Sequence, residues 1–244
     1  MKRRFNRKRI FRWLAILALI VIVGLYLVMP VAMGIVAVFP YHESVGAAPD
    51  GFAEITLTTE DGVDLAAWYR APTNGAAIIL LHGGGGTRED MRGYVAMLVD
   101  HGYGVLAMDL RGHGDSEGTV NRLGWQGTKD VGAAVAYLNA QPDVEVIGGL
   151  GSSMGAEVLL GAASAYPDVR AIVADGATQR CLDELRALES ERPLYRNFTA
   201  RVFFAAVELF SGDDPPKPLL DSMTEAESTH FLLIAGGADD QEVD

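Results

Sequence analysis

Cysteine occurs once in the 244-residue chain, at Cys181. No intrachain disulfide can form, and no cysteine-based metal cluster can be assembled. Basic residues are scarce beyond the start. The net charge is −12, yet seven of the 20 lysines and arginines fall within the opening MKRRFNRKRIFR. The remainder holds 13 basic against 32 acidic residues. So acidic a domain repels a phosphate backbone, which argues against nucleic acid as a partner. A G-x-x-x-x-G-K-[ST] phosphate loop is absent, and so is any internal repeat.

Charge of either sign also vanishes between Trp13 and Phe39, WLAILALIVIVGLYLVMPVAMGIVAVF. The run exceeds the ~20 residues needed to cross a ~30 Å hydrocarbon core. A cleaved signal peptide is the main rival, but its apolar stretch is usually about 7–15 residues. A buried helix of a soluble domain fits less well, because this run is apolar on every face. Residues 13–39 are therefore expected to be a transmembrane anchor, with Pro30 kinking it or marking its end. The basic flank, residues 1–12, belongs on the cytoplasmic side and places the rest outside. Residues 40–52 read as a linker.

Beyond it, AEITLTTEDGVDLAAWYRAP predicts two strands, at about 53–58 and 65–69, turning at Asp61-Gly62. AAIILLH is a continuous apolar run of strand length, as in a strand buried on both faces. Strands GVLAMD, EVIGGLG and AIVAD alternate with helical stretches at about 88–101, 125–141 and 154–166. Such alternation predicts an α/β fold, a mostly parallel sheet flanked by helices. It lapses over residues 177–229, where RCLDELRALESERP and RNFTARVFFAAVELF read as helices and SGDDPPKPLL as a loop. That small helical insert has two readings: a cap above the strand ends, or plain packing helices. HFLLIAG then resumes as the last visible strand.

The 28 glycines imply many tight turns and close backbone contacts. Two groups of them carry chemistry. Gly151-Ser152-Ser153-Met154-Gly155 fits G-x-S-x-G, between an apolar strand and a helix. A strand turning sharply into a helix leaves no room for side chains two positions either side of the apex, so Ser153 is the candidate nucleophile. Ser152 occupies the variable position. A hydroxyl attacking a carbonyl makes an oxyanion that needs preorganised donors. The N–H of Met154 is one candidate. Gly84, in the His82-Gly83-Gly84-Gly85-Gly86 run that follows the AAIILL strand, is the other. His82, beside that loop, reads as structural rather than as a base.

With these motifs and DLRGHGDSEG, a D-x-R-G-x-G-x-S turn, the chain from about Ala53 to Asp244 resembles the α/β-hydrolase superfamily. Within it, the anchor and HGGGGTRED point to a membrane-tethered peptidase- or esterase-like branch. The resemblance makes Asp109, Arg111, His113 and Ser116 structural. It implies a catalytic acid after the insert as G-x-x-D, which Asp239 satisfies, with Asp240 as neighbour and Asp175 in reserve. It also implies a histidine one strand further on. Of His42, His82, His101, His113 and His230, none occupies that place, and His230 precedes its strand. The expectation is a C-terminally truncated hydrolase domain, 53–244, with "HFLLIAG" left as an exposed edge.

The function so implied is cleavage of an ester or amide bond of a small molecule or peptide through an acyl-enzyme, without metal or organic cofactor. The alternative is a non-catalytic, membrane-tethered binding domain.

Overall fold

A computed structural model describes residues 7–119, 122–187 and 193–236. Helix α1 (Arg7–Val23) runs through a π-helical turn at Gly24–Val28 into α2 (Met29–Val38), without a break. Pro30 does not end the helix, as the sequence allowed it to. Proline has no N–H and its ring crowds the carbonyl one turn back. The wider turn absorbs that misfit: the Met29 N–H bonds Gly24 O, five residues back. The 32-residue helix is long and apolar enough to cross a membrane, and almost none of its most apolar window is buried.

The sheet has seven strands in the order β1-β2-β4-β3-β5-β6-β7. They are β1 Ala53–Thr58, β2 Asp64–Arg70, β3 Ala76–Leu81, β4 Gly104–Met108, β5 Val146–Ser152, β6 Val169–Asp175 and β7 His230–Ile234. β1 and β2 are antiparallel, β2 is antiparallel to β4, and the other five run parallel. Connecting helices are α3 Arg92–Asp100, α4 Gly127–Asn139 and α5 Met154–Ala162. The fold is therefore α/β with a mostly parallel sheet, as the alternation predicted.

Strand periodicity divides the core between the two faces. Ile79, Leu81, Leu106 and Met108 point into the larger cluster with Val131, Leu138, Val158 and Leu159 of α4 and α5. Leu80, Val105 and Ala107 point the other way, onto Trp68, Met91, Val95 and Leu98. Each such side chain, fully buried, contributes about 1.5–3 kcal/mol. Arg88 and Arg92 stack over the Trp68 ring, 5.0 and 4.6 Å from its centre.

After β6 come α6 (Leu182–Ala187), α7 (Leu194–Ser211) and α8 (Leu219–Glu225). The last was not expected, because the preceding DDPPKP run reads as loop. Pro218, just before its first turn, has the fixed φ that suits a helix start. Leu219 and Met223 then dock against the larger core. β7 forms one edge of the sheet, with Leu232, Leu233 and Ile234 exposed.

The stretch after the anchor is stitched to the domain. Tyr41 exchanges backbone hydrogen bonds with Gly112 and Gly114, at 2.6 and 3.0 Å. The His42 ring reaches the carbonyls of Gly114 and Gly118. Arg92 donates to the Ala47 carbonyl, and Glu89 accepts from the Gly46 N–H.

Candidate active site

The strand order reverses direction at β3, which has β4 on one side and β5 on the other. In open parallel sheets, the crevice at the carboxyl ends of strands flanking such a reversal is where ligands bind. The loop after β3 carries His82 to Gly86, and the turn after β5 carries Ser153.

Ser153 sits at φ +49°, ψ −118°, just before α5. Only Leu123 and Ser153 hold positive φ among described non-glycine residues. Such a conformation costs about 1–3 kcal/mol and persists only where its surroundings enforce it. Here they do. A Cβ on Gly151 would lie 2.4 Å from the Gly155 carbonyl carbon, and one on Gly155 would lie 2.4 Å from Leu81 O. The two glycines allow α5 to start hard against β3 and β5, which lifts Ser153 to an exposed apex. Its hydroxyl has no hydrogen-bond partner among the described residues.

The candidate donors converge on this apex. Met154 is the first residue of α5, so its N–H has no carbonyl of its own helix to bond. A Cβ on Gly83 would come 3.5 Å from the Ser153 Cβ, and one on Gly84 would come 3.8 Å from the Met154 Sδ. The glycine loop thus lies directly against the serine turn.

His82 is fully buried. Its Nδ1 faces the Gly83 carbonyl at 2.8 Å and its Nε2 accepts the Leu110 N–H at 3.1 Å. One donor and one acceptor fix a neutral tautomer, and burial holds its pKa down at about 4. His113, also fully buried, packs on His82 with ring centres 4.9 Å apart, and burial lowers it to about 4 too.

The D-x-R-G-x-G-x-S turn is a buried polar scaffold. Asp109 accepts from the Arg88 side chain and backbone and from the Asp115 N–H. Arg111 bridges Asp130 at 2.7 Å and Asp61 at 2.9 Å. Ser116 links the Ala66 N–H to the Asp109 carbonyl.

Asp239 and Asp240 lie outside the described residues. Asp175 ends β6 and faces Ser152 across the sheet, and its carboxylate accepts the Tyr94 hydroxyl at 2.8 Å. His42, His82, His101 and His113 all bond backbone carbonyls elsewhere. His230 begins β7, opposite Ala171, at the end of the sheet away from Ser153.

A cavity of about 270 Å³ opens over Ser153. Its polar side is Glu157, Thr178, Gln179 and Arg180; its apolar side includes Leu123, Met154, Phe203 and Phe204. Glu157 accepts the Thr178 N–H at 3.0 Å and hydroxyl at 2.9 Å, and burial raises its pKa. The sequence reading named Met154 and offered the 177–229 insert as a cap, but singled out none of the other residues of these two sides. Glu157 alone left a signal, as the single charged residue of the apolar helix MGAEVLLGA.

An apex serine on a strained strand–helix turn, beside a glycine loop at a sheet reversal, defines a class. The chain belongs to the α/β-hydrolase fold family, whose model matches residues 76–230. Among individual proteins, it is similar to an uncharacterized protein of Mycobacterium tuberculosis, 32% identical over 214 residues, covering 82% of this chain and 68% of that one. The YfhR protein of Salmonella typhi, also uncharacterized, is 30% identical over 165 residues, 64% of this chain and 55% of its own. Among solved structures, an esterase of Pyrococcus furiosus superposes with a TM-score of 0.57 at 29% identity, covering 75% of this chain and 72% of the esterase.

Proposed function

We propose that the protein is a membrane-anchored serine hydrolase that cleaves an ester or amide through an acyl-enzyme. The observation that carries this reading is the positive φ of Ser153 between Gly151 and Gly155. A plain glycine-rich turn has no need of a strained serine at its apex. The esterase likeness at 29% identity agrees with it.

In the proposed mechanism the Ser153 Oγ attacks the acyl carbon while its proton passes to a histidine base. The oxyanion settles on the N–H groups of Met154 and Gly84. The bond to the leaving alcohol or amine breaks as that group takes the proton back. Water then adds to the acyl-enzyme by the same route, releasing the acid and restoring the serine. Asp239 is assigned as the acid that orients the base. Residues 13–39 are assigned as the anchor, with the first twelve residues cytoplasmic and the domain on the other side.

One observation favours a second reading, a tethered binding domain: no described histidine hydrogen-bonds Ser153. A fluorophosphonate probe on the gene product in its own membranes separates the two. Under the hydrolase reading Ser153 is the labelled residue, Ser153→Ala abolishes labelling, and Ser152→Ala changes it little. Labelling lost in Ser152→Ala but kept in Ser153→Ala would refute the assignment. No labelling of the wild type would favour the binding domain.

A further inference from the structure

We propose that α7 is a lipid-facing wall of the cavity, and that the substrate is an acyl ester dissolved in the bilayer, reaching Ser153 along α7. The substrate claim rests on the hydrolase reading above, and the placement of α7 rests on the anchor reading.

The anchor is longer than a membrane requires. Its 32 residues span about 48 Å at ~1.5 Å per residue, against a hydrocarbon core of ~30 Å. A tilted helix keeps more residues within that core, and the outer part of this one is packed on protein along one side only. Pro30, Gly34 and Val38, at successive four-residue steps along α2, are the buried positions of that helix. A Cβ on Gly34 would meet the Ala206 Cβ and the Phe203 carbonyl of α7, both at 2.8 Å. Eight residues earlier on each helix, the rings of Tyr26 and Tyr195 meet edge to face at 6.3 Å. Equal steps on both helices mean that α7 runs parallel to the anchor, side by side.

α7 therefore has three apolar faces. Tyr195, Phe203 and Ala206 meet the anchor. Phe204 and Val207 pack with Trp125 and Leu185, and Phe203 and Phe204 line the cavity. Leu194, Phe198, Val202, Ala205 and Leu209 form a third stripe at helical spacing. Nothing among the described residues covers its ends: Leu194 is 88% exposed, Phe198 51% and Leu209 75%.

The occupant that fits this stripe is lipid. It lies on a helix laid against the anchor, whose own flanks are exposed and apolar at Leu25, Met29, Met33 and Val36. The bonded stretch around Tyr41 and His42 holds the domain to the foot of the anchor. With Phe203 touching both anchor and cavity, an acyl chain leaving the bilayer would meet the apolar wall without crossing water. Its polar end would face Glu157, Thr178 and Arg180.

The test uses the full gene product in phosphatidylcholine vesicles. With Cys181→Ser as background, an environment-sensitive fluorophore is attached at Phe198→Cys, at Leu209→Cys, and at Glu145→Cys beyond the opposite end of the sheet. Spin-labelled acyl chains should quench the first two and spare the third, while iodide does the reverse. In parallel, umbelliferyl oleate in the vesicles and umbelliferyl acetate in water are offered as substrates. Phe198→Glu and Leu209→Glu, neither of which lines the cavity, should slow the oleate at least tenfold and the acetate less than twofold. Iodide quenching at 198 and 209, or equal loss on both substrates, would overturn the proposal while leaving the hydrolase reading standing. Lipid quenching with no wild-type turnover of either ester would overturn the substrate assignment, and loss of fluorophosphonate labelling as well would remove the hydrolase reading.

Discussion

The backbone at Ser153 holds a positive φ, and the constraint that enforces it sits in its neighbours. A methyl group on Gly155 would lie within 2.6 Å of two carbonyl oxygens of the Leu81-His82 segment. Backbone at a strand end cannot retreat as a side-chain tip can. Gly155→Ala should therefore cost about 3 kcal/mol or more, read as a lowered thermal midpoint in detergent; an unchanged midpoint would contradict this packing. His113 makes a second, pH-dependent prediction. Its folded pKa of about 4 lies below the ordinary value of 6.5, because burial disfavours the charged ring. The unfolded chain then binds the proton more tightly, so the stability His113 contributes is present above pH 6.5 and lost as pH falls toward 4. The cost of His113→Gln should shrink by about 1 kcal/mol per pH unit between pH 6 and 4.5. Chemical denaturation at several pH values measures it, and a pH-independent cost would mean that the ring is not held neutral.

Among elements, the close approach of α2 to α7 depends on Gly34. Gly34 lets two helices approach until a Cβ would touch both Ala206 and the Phe203 carbonyl. Gly34→Leu should force them apart, lower the melting temperature and speed proteolysis within α7, at a cost of about 1–3 kcal/mol. Gly24 offers the control, because a Cβ there meets nothing within 4 Å. Gly24→Leu should leave both readouts unchanged. Equal effects from the two would place the origin in the anchor helix itself rather than in its packing. The π-helical turn belongs to this scale too: it lets one helix carry Pro30 and still deliver α2 to α7.

For the molecule as a whole, the first prediction is orientation. Seven basic residues precede an uncharged run, so the first twelve residues should stay in the cytoplasm and the sheet should lie outside it. A reporter active only outside the cytoplasm, fused after Asp244, should be active. Activity of a cytoplasm-only reporter there would reverse the assignment, and release of the domain into the medium would indicate a cleaved leader.

Periodicity and spacing alone marked every strand from β1 to β7 and the strand–serine–helix turn, because burial on both faces and a sharp elbow each impose a local residue pattern whatever the distant partner is. A parallel strand buried on both faces has to be an apolar run, and a sharp elbow has to exclude side chains two positions away. Gly151 and Gly155 record that rule in the chain itself. The uncharged run to Phe39 foretold an anchor past Pro30, but whether that proline would kink or end the helix was not written there. Neither was α8, whose amphipathic turn gains a partner only when Leu219 and Met223 reach the core. The cavity walls were hidden for the same reason: Glu157, Arg180 and Phe204 come from separate segments and meet only once β5, β6 and α7 are assembled. The pairing of Gly34 with Ala206 joins positions far apart in the chain, and no local pattern encodes such a contact. Local sterics and hydrophobic period were determined by the sequence; which distant faces share a boundary was decided by the packed sheet.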